Sequence, residues 1–182
     1  MDTFKVPTRE QVNSTNQGIF DNLKTKLGFV PNIFATMAHS ETALEKYMNF
    51  SNAKTSLSAK EKEVVNLAVS QVNSCDYCLA AHTAIAGMSG FTPQQILELR
   101  AGRASFDPKL DALAALAKNM TENRGNSDAS KISAFYDAGY TNSNLVDLIA
   151  LIGDKTIANY LHNTTKVPVD FPTAPKLNLQ TV

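Results

Sequence analysis

The only two cysteines of the chain, Cys75 and Cys78, stand in the stretch NSCDYCLAAHTAIAG with two residues between them, and His82 follows four residues later. A helix that begins at or just after Cys75 puts that residue near the N-cap and Cys78 in the first turn. Side chains three and four apart share a helix face, so Cys75, Cys78 and His82 form one column. Unpaired N–H groups and the positive dipole end favour a thiolate there, which by itself makes Cys75 the more acidic thiol. A neighbouring imidazole can take a thiol proton. CxxC sulfurs at a helix start can also close a disulfide without backbone rearrangement. The stretch therefore holds a thiolate to attack, a base to activate it and a second thiol to resolve the product.

Other chemistries fit less well. Cysteine and histidine are often plain core or surface residues, but CxxC with His one turn later is a more specific pattern than either alone. A structural zinc site needs four ligands. The chain offers no further cysteine, and its other histidines are His39 and His162. The setting also lacks the strand–loop–helix of a thioredoxin. A histidine base needs a partner on its other ring nitrogen, usually a carboxylate. Glu63, on the helix before, can face the seam beside Val64 and Leu67, while Glu61 belongs to a capping box. Helix geometry alone leaves Glu63 an open choice. His39 reads as a local hydrogen-bonding group, His162 as lying at a subunit contact or near the pocket mouth. Phe29, Phe34 and Met37 are candidates for an apolar entrance.

The elements that must hold these residues are helical almost throughout. Thr8 to Leu27 reads as a helix stopped by Gly28, Pro31 opens PNIFATMAHS, and Ser40 caps a helix to about Ala53. Ser58 and Glu61 form a capping box before an apolar-faced helix ending near Asn73 and Ser74. Thr92, Asp107 with Pro108, Asp128 or Ser130, and Thr141 start the later helices. The stretch 164–182 is Pro-spaced and reads as an extended tail that packs on a neighbour. An internal repeat appears when Thr92 is laid on Thr141, a shift of 49 (141 − 92), relating about 57–100 to about 106–149. Under that shift Arg124 falls on Cys75, so only the first copy carries the thiols. The whole, 1–182, reads as one all-α domain.

Composition narrows the function. Lys plus Arg and Asp plus Glu are 17 each, so there is no general pull toward nucleic acid or anionic lipid. No apolar run approaches a transmembrane length, and the amino terminus lacks a secretory pattern. A cytoplasmic setting, where thiols are kept reduced, is the expectation. Cysteines this close also make a poor structural staple, because they close almost no loop.

The segment EVVNLAVSQVNSCDYCLAAH has the form Glu, eleven residues, Cys-x-x-Cys, three residues, His. It resembles the signature of the alkylhydroperoxidase D-like (AhpD-like) proteins of the carboxymuconolactone decarboxylase superfamily. LGFVPNIFATMAHS, GFTPQQILELRAG and NYLHNTTKVPVDFP resemble its peroxidase-related branch. The resemblance implies an all-helical AhpD-like fold built on a duplicated helical unit, no cofactor, and a homo-oligomer, often a trimer or a multiple of it. It implies a catalytic set of Glu63, Cys75, Cys78 and His82. A carboxylate–histidine relay activates Cys78, a hydroperoxide substrate oxidises it to a sulfenic acid, and Cys75 closes a disulfide. An external dithiol or reductant protein restores the pair. Some members carry histidine between the cysteines. Tyr77 stands there in this chain, a poor proton shuttle near neutrality that can instead wall the pocket or donate one hydrogen bond. The alternatives are lactone decarboxylation, which has no evident need of CxxC, and a redox-responsive oligomer without turnover.

Overall fold

Capping signals local in the sequence place most of the helices. The computed structural model describes residues 4–178, which form nine α-helices and no strand. In chain order these are α1 (Ser14–Leu27), α2 (Asn32–Met37), α3 (Ala43–Ser51), α4 (Ala59–Val72) and α5 (Asp76–Met88). After them come α6 (Pro93–Arg100), α7 (Pro108–Glu122), α8 (Ala129–Asp137) and α9 (Asn142–Thr165). Ser58, Thr92 and Thr141 each close a capping box at the start of α4, α6 and α9. The Asp107 carboxylate accepts from the N–H groups of Lys109 and Leu110 to start α7. Gly28, at φ +84°, stops α1.

Three expectations need correction. The stretch from Thr8 is not one helix: a 3-10 turn at Arg9–Gln11 is followed by a break, and the Asn13 side chain then caps α1 by accepting from Asn16 N–H. Helix α3 begins after Thr42 rather than Ser40, although the Ser40 hydroxyl still accepts from Ala43 N–H at 3.2 Å. Helix α9 runs on to Thr165, where Lys166 at φ +52° ends it, so the tail starts two residues later than its proline spacing implies. That tail packs on its own chain: Asp170 accepts from the backbone N–H of Asn32, and the Pro175 carbonyl accepts from Arg100.

The join of α4 to α5 recurs between α7 and α8 with a slip of one residue. Ser74 (φ +52°) and Arg124 (φ +54°) each take the left-handed turn after the helix. Because α7 has 15 residues against 14 in α4, Arg124 stands where Ser74 does, not where Cys75 does. The turn before the next helix then realigns, with Gly90 at φ +90° and Gly139 at φ +89°.

Helix α4 is the hub, packed against α5, α6, α7 and α9. Every residue from Glu63 to Ser70 is buried. Val64, Val65, Leu67, Ala68 and Val69 join α6, α7 and α9 in one apolar cluster. A second cluster, from α1 to α3, includes Cys75, Tyr77, Cys78 and Ala158. The thiols therefore sit where the amino-terminal helices close over the α4–α5–α9 seam. No helix among the described residues is long and apolar enough to cross a membrane. Leu67 is fully enclosed. Leu67→Ala is expected to lower stability by about 2–5 kcal/mol, read as a lower urea midpoint at unchanged helical signal.

Candidate active site

The turn that ends α4 also starts α5. With Ser74 in the left-handed region, Cys75 N–H reaches back to the Ser70 carbonyl at 3.0 Å, the arrangement that closes a helix C-terminus. The same Cys75 is the N-cap of α5, its Sγ accepting from Cys78 N–H at 3.3 Å. Cys75 thus belongs to both helix ends, which fixes its sulfur relative to each. Both cysteines are free thiols, Cys75 wholly enclosed and Cys78 3% exposed.

A polar stripe on the otherwise apolar α4 faces them. Glu63, Asn66 and Ser70 lie at i, i+3 and i+7, one face of the helix. The Glu63 Oε2 atom is 2.8 Å from His82 Nδ1, and Asn66 donates to Glu63 Oε1 at 3.0 Å. On the far side of the ring, His82 Nε2 lies 2.8 Å from Lys155 Nζ. An ammonium has only donors to offer, so Nε2 accepts from Lys155 and the ring proton stands on Nδ1, donated to Glu63. The imidazole is held neutral between a carboxylate and an ammonium.

The electrostatics follow from this sandwich. Burial, then Lys155, pushes His82 below its usual 6.5, against the pull of Glu63. Burial alone raises the Glu63 carboxyl, but His82, Asn66 and Lys155 outweigh it and hold it below its usual 4.5. A hydrogen bond shared between the sulfurs lowers Cys75 against the effect of burial, with help from Cys78 N–H and Asn159. The same bond and burial push Cys78 up. Lys155 favours the thiolate at either sulfur. Asn159 is itself fixed, donating to Ser70 at 3.3 Å and accepting from Asn73 at 2.9 Å.

Tyr77 fills both roles open to it. Its ring borders the cavity, and its hydroxyl donates to Asp170 Oδ1 at 2.5 Å while accepting from Ile33 N–H at 3.3 Å. Burial first, then Asp170, raises the phenol, so it stays protonated. Phe171 packs edge-on against the Tyr77 ring and against Phe29, so the tail and the CxxC hold one another.

A cavity of about 530 Å³ joins these groups. It runs from exposed Leu27 and Met88 past Phe29 and Phe34 to buried Cys78, Glu63 and Lys155 and partly buried His82. Met37 belongs instead to the buried core. His39 donates locally, from Nε2 to the Lys5 carbonyl at 2.7 Å, and His162 is buried beside the Tyr77 ring. Among the described residues no group of three or more His, Cys, Asp or Glu is arranged to hold a metal ion, and both nitrogens of His82 are engaged. The structure thus brings Glu63, Cys75, Cys78 and His82 together and adds Lys155 and Asp170. The sign of Lys155 in the sequence is the pair Asp154-Lys155 inside the apolar run LVDLIALIGDKTIANYL. Asp170 has no such sign.

An all-helical architecture of this kind is shared with solved structures. A structure of the alkylhydroperoxidase AhpD core, a peroxidase-related protein from Ralstonia eutropha JMP134, matches with a TM-score of 0.79 at 21% identity, covering 98% of this chain and 93% of that one. A peroxidase-related protein from Silicibacter sp. TM1040 matches at 0.81 and 21%, over 98% of this chain and 95% of that one. The apo form of the debrominase Bmp8 matches at 0.77 and 15% identity, over 93% of each chain. At these identities the likeness is one of fold, and the fold is AhpD-like. Among curated proteins no sequence matches this chain. The carboxymuconolactone decarboxylase family model matches residues 39–119, which carry Glu63 through His82.

Because His82 and Glu63 titrate lower in the fold than in the unfolded chain, the unfolded chain binds more protons as pH falls. Their contribution to stability is present above about 6.5 and is lost first through His82, then through Glu63. The urea midpoint is expected to fall from about pH 7.5 to about 5.5, with a shallower slope in His82→Gln. A flat or rising profile would contradict the sandwich geometry.

Proposed function

We propose that the protein is a thiol peroxidase of the peroxidase-related branch of the carboxymuconolactone decarboxylase family, reducing organic hydroperoxides through a Cys75–Cys78 dithiol–disulfide cycle. The observation that carries this reading is the placement of Cys78 in the wall of an apolar cavity beside a buried Glu63–His82–Lys155 chain. Cys78 is the sulfur a substrate reaches, since Cys75 is enclosed. Acidity favours Cys75, and the bond between the sulfurs reconciles the two. Loss of one proton leaves a thiolate–thiol pair, along which the remaining proton shifts to Cys75 as Cys78 attacks.

The Cys78 thiolate attacks the outer peroxide oxygen, the O–O bond breaks, and Cys78 becomes a sulfenic acid. The alkoxide leaves with a proton from Lys155. Cys75 sulfur then attacks Cys78 sulfur, the S–O bond breaks, and the departing hydroxide takes the Cys75 proton to form water. An external dithiol or reductant protein restores the thiols by exchange, and Lys155 regains its proton from solvent. Glu63 acts through His82: by accepting the Nδ1–H hydrogen bond it keeps the Nε2 lone pair turned to Lys155 and so aims the ammonium. A cytoplasmic setting, which keeps the pair reduced, suits this cycle.

A second reading draws on the same cavity. A variant of the debrominase Bmp8 has been solved in complex with 2,3,4-tribromopyrrole, and an apolar pocket ending in a dithiol suits reductive debromination. There the aryl C–Br bond gives C–H and bromide while the two thiols become a disulfide. Lactone decarboxylation has no use for the dithiol and is the weaker reading.

Thiol quantitation before and after one equivalent of cumene hydroperoxide tests the proposal. Both thiols are expected to disappear, and two thiols persisting in folded protein would sink it. Bromide release from a bromopyrrole, with peroxide inert, would favour the second reading. Cys78→Ser is expected to abolish turnover, whereas Cys75→Ser leaves an oxidised Cys78 that dimedone traps. Lys155→Met is expected to slow peroxide-driven thiol loss about 100-fold or more, as loss of a positioned proton donor does.

A further inference from the structure

Helix α9 is amphipathic the wrong way round. Asp154, Lys155, Asn159 and His162 are turned into the fold and buried. The exposed positions between its ends are Val146, Ile149, Gly153, Ile157 and Tyr160. The four side chains among these are 65%, 53%, 51% and 61% exposed respectively. Of the three charged residues along its 24, Asp154 and Lys155 are buried and Asp147, off the stripe, is bonded to Ser56, whereas α1 exposes Asp21, Lys24 and Lys26. A solvent-facing helix side normally carries charge, and a continuous apolar stripe on the surface marks a contact.

The stripe is symmetric about Gly153. Ile149 and Ile157 lie four residues to either side, Val146 and Tyr160 seven, and the polar exposed Asn142 and Thr164 eleven. At 3.6 residues per turn the five central positions fall within about 80° of one another. Such a pattern fits itself when reversed. We infer that two copies of this chain pack α9 against α9, antiparallel, about a two-fold axis at Gly153.

In that arrangement Ile149 meets Ile157 of the second copy, and Val146, a small side chain, meets the large Tyr160. A two-fold contact is of this self-complementary kind, residue i on j and j on i. Gly153 marks the crossing. A Cβ added there would meet nothing within 4 Å in its own chain, so internal packing does not require a glycine. Mid-helix glycine is unfavourable in itself and is used where another backbone comes close. A shallow groove along the same flank adds half-exposed Phe50 with Ala150 and Leu151 to the apolar surface, bordered by Lys54, Lys62 and Asp147. That extends the face toward the roughly 800 Å² per partner of a stable interface. A lipid surface is the poorer occupant, because interfacial helices carry Lys and Arg along their polar side, and here that side is buried.

Light scattering on the full chain during size exclusion tests the inference. The expected mass is twice 19.7 kDa or a further even multiple. Ile157→Glu is expected to halve it or reduce it further with unchanged helical signal. A wild-type monomer, or an Ile157→Glu chain that keeps its mass, overturns the inference. Cross-linking fixes the geometry, with Cys75 and Cys78 both replaced by Ser. Gly153→Cys is expected to oxidise to a covalent dimer, since only position 153 meets itself. Ile157→Cys is expected to cross-link only when Ile149→Cys is also present. Cross-linking by Ile157→Cys alone means parallel helices and overturns the two-fold.

Discussion

A carboxylate, an imidazole and an ammonium buried in one line impose the strictest demand on this molecule. Glu63 is 7% exposed and so is Lys155, and an unpaired charge at that depth costs several kcal/mol. Neither is tolerable without the other, and His82 between them has room for only one proton arrangement. The chain meets the demand by running polar stripes along the inward faces of two helices. Those of α4 (Glu63, Asn66, Ser70) and α9 (Asp154, Lys155, Asn159) face one another directly, with His82 of α5 between Glu63 and Lys155. The apolar residues on the remaining sides of α4 provide the burial that makes the pairing obligatory, so the hub of the fold and the chemistry of the site are the same element.

The thiols are held by a different device. Cys75 takes part in the closing turn of α4 and the opening turn of α5 at once, so the direction in which one helix leaves and the next begins is set at a single sulfur-bearing residue. Tyr77 then ties the first turn of α5 to Asp170, which also accepts from Asn32 at the start of α2. In place of a proton-shuttling histidine between the cysteines, this chain has a structural tether. Burial and Asp170 keep its phenol protonated near neutrality.

Local rules made much of this legible. Ser58, Thr92, Asp107 and Thr141 start helices because a cap needs only its own next three residues, and the Glu63–Cys75–Cys78–His82 spacing spans about five helical turns of a single hairpin. Misreadings arose where a capping side chain stands apart from the helix it serves: Asn13 rather than Thr8 caps α1, and Ser40 accepts from Ala43 N–H although α3 begins only after Thr42. Lys155 and Asp170 escaped because their contacts cross 73 and 93 residues, beyond any periodicity. The outward face of α9 was hidden for another reason. Apolar residues at helical spacing read as core, and only the burial of the charged residues between them reveals that the helix is turned inside out.

The separation of Lys155 from the rest of the site has a consequence for the order of synthesis. Glu63, both thiols and His82 emerge from the ribosome together, and their hairpin can form as soon as α4 and α5 are free. The cation that pairs them, the tail that clamps Tyr77 and the helix that borders the cavity all come from the last third of the chain. Until α9 docks, the nascent protein carries a thiol pair with a carboxylate–imidazole dyad and no counter-charge. The finished electrostatics therefore wait on the docking of α9, which ties the charge balance around the cysteines to arrival of that helix.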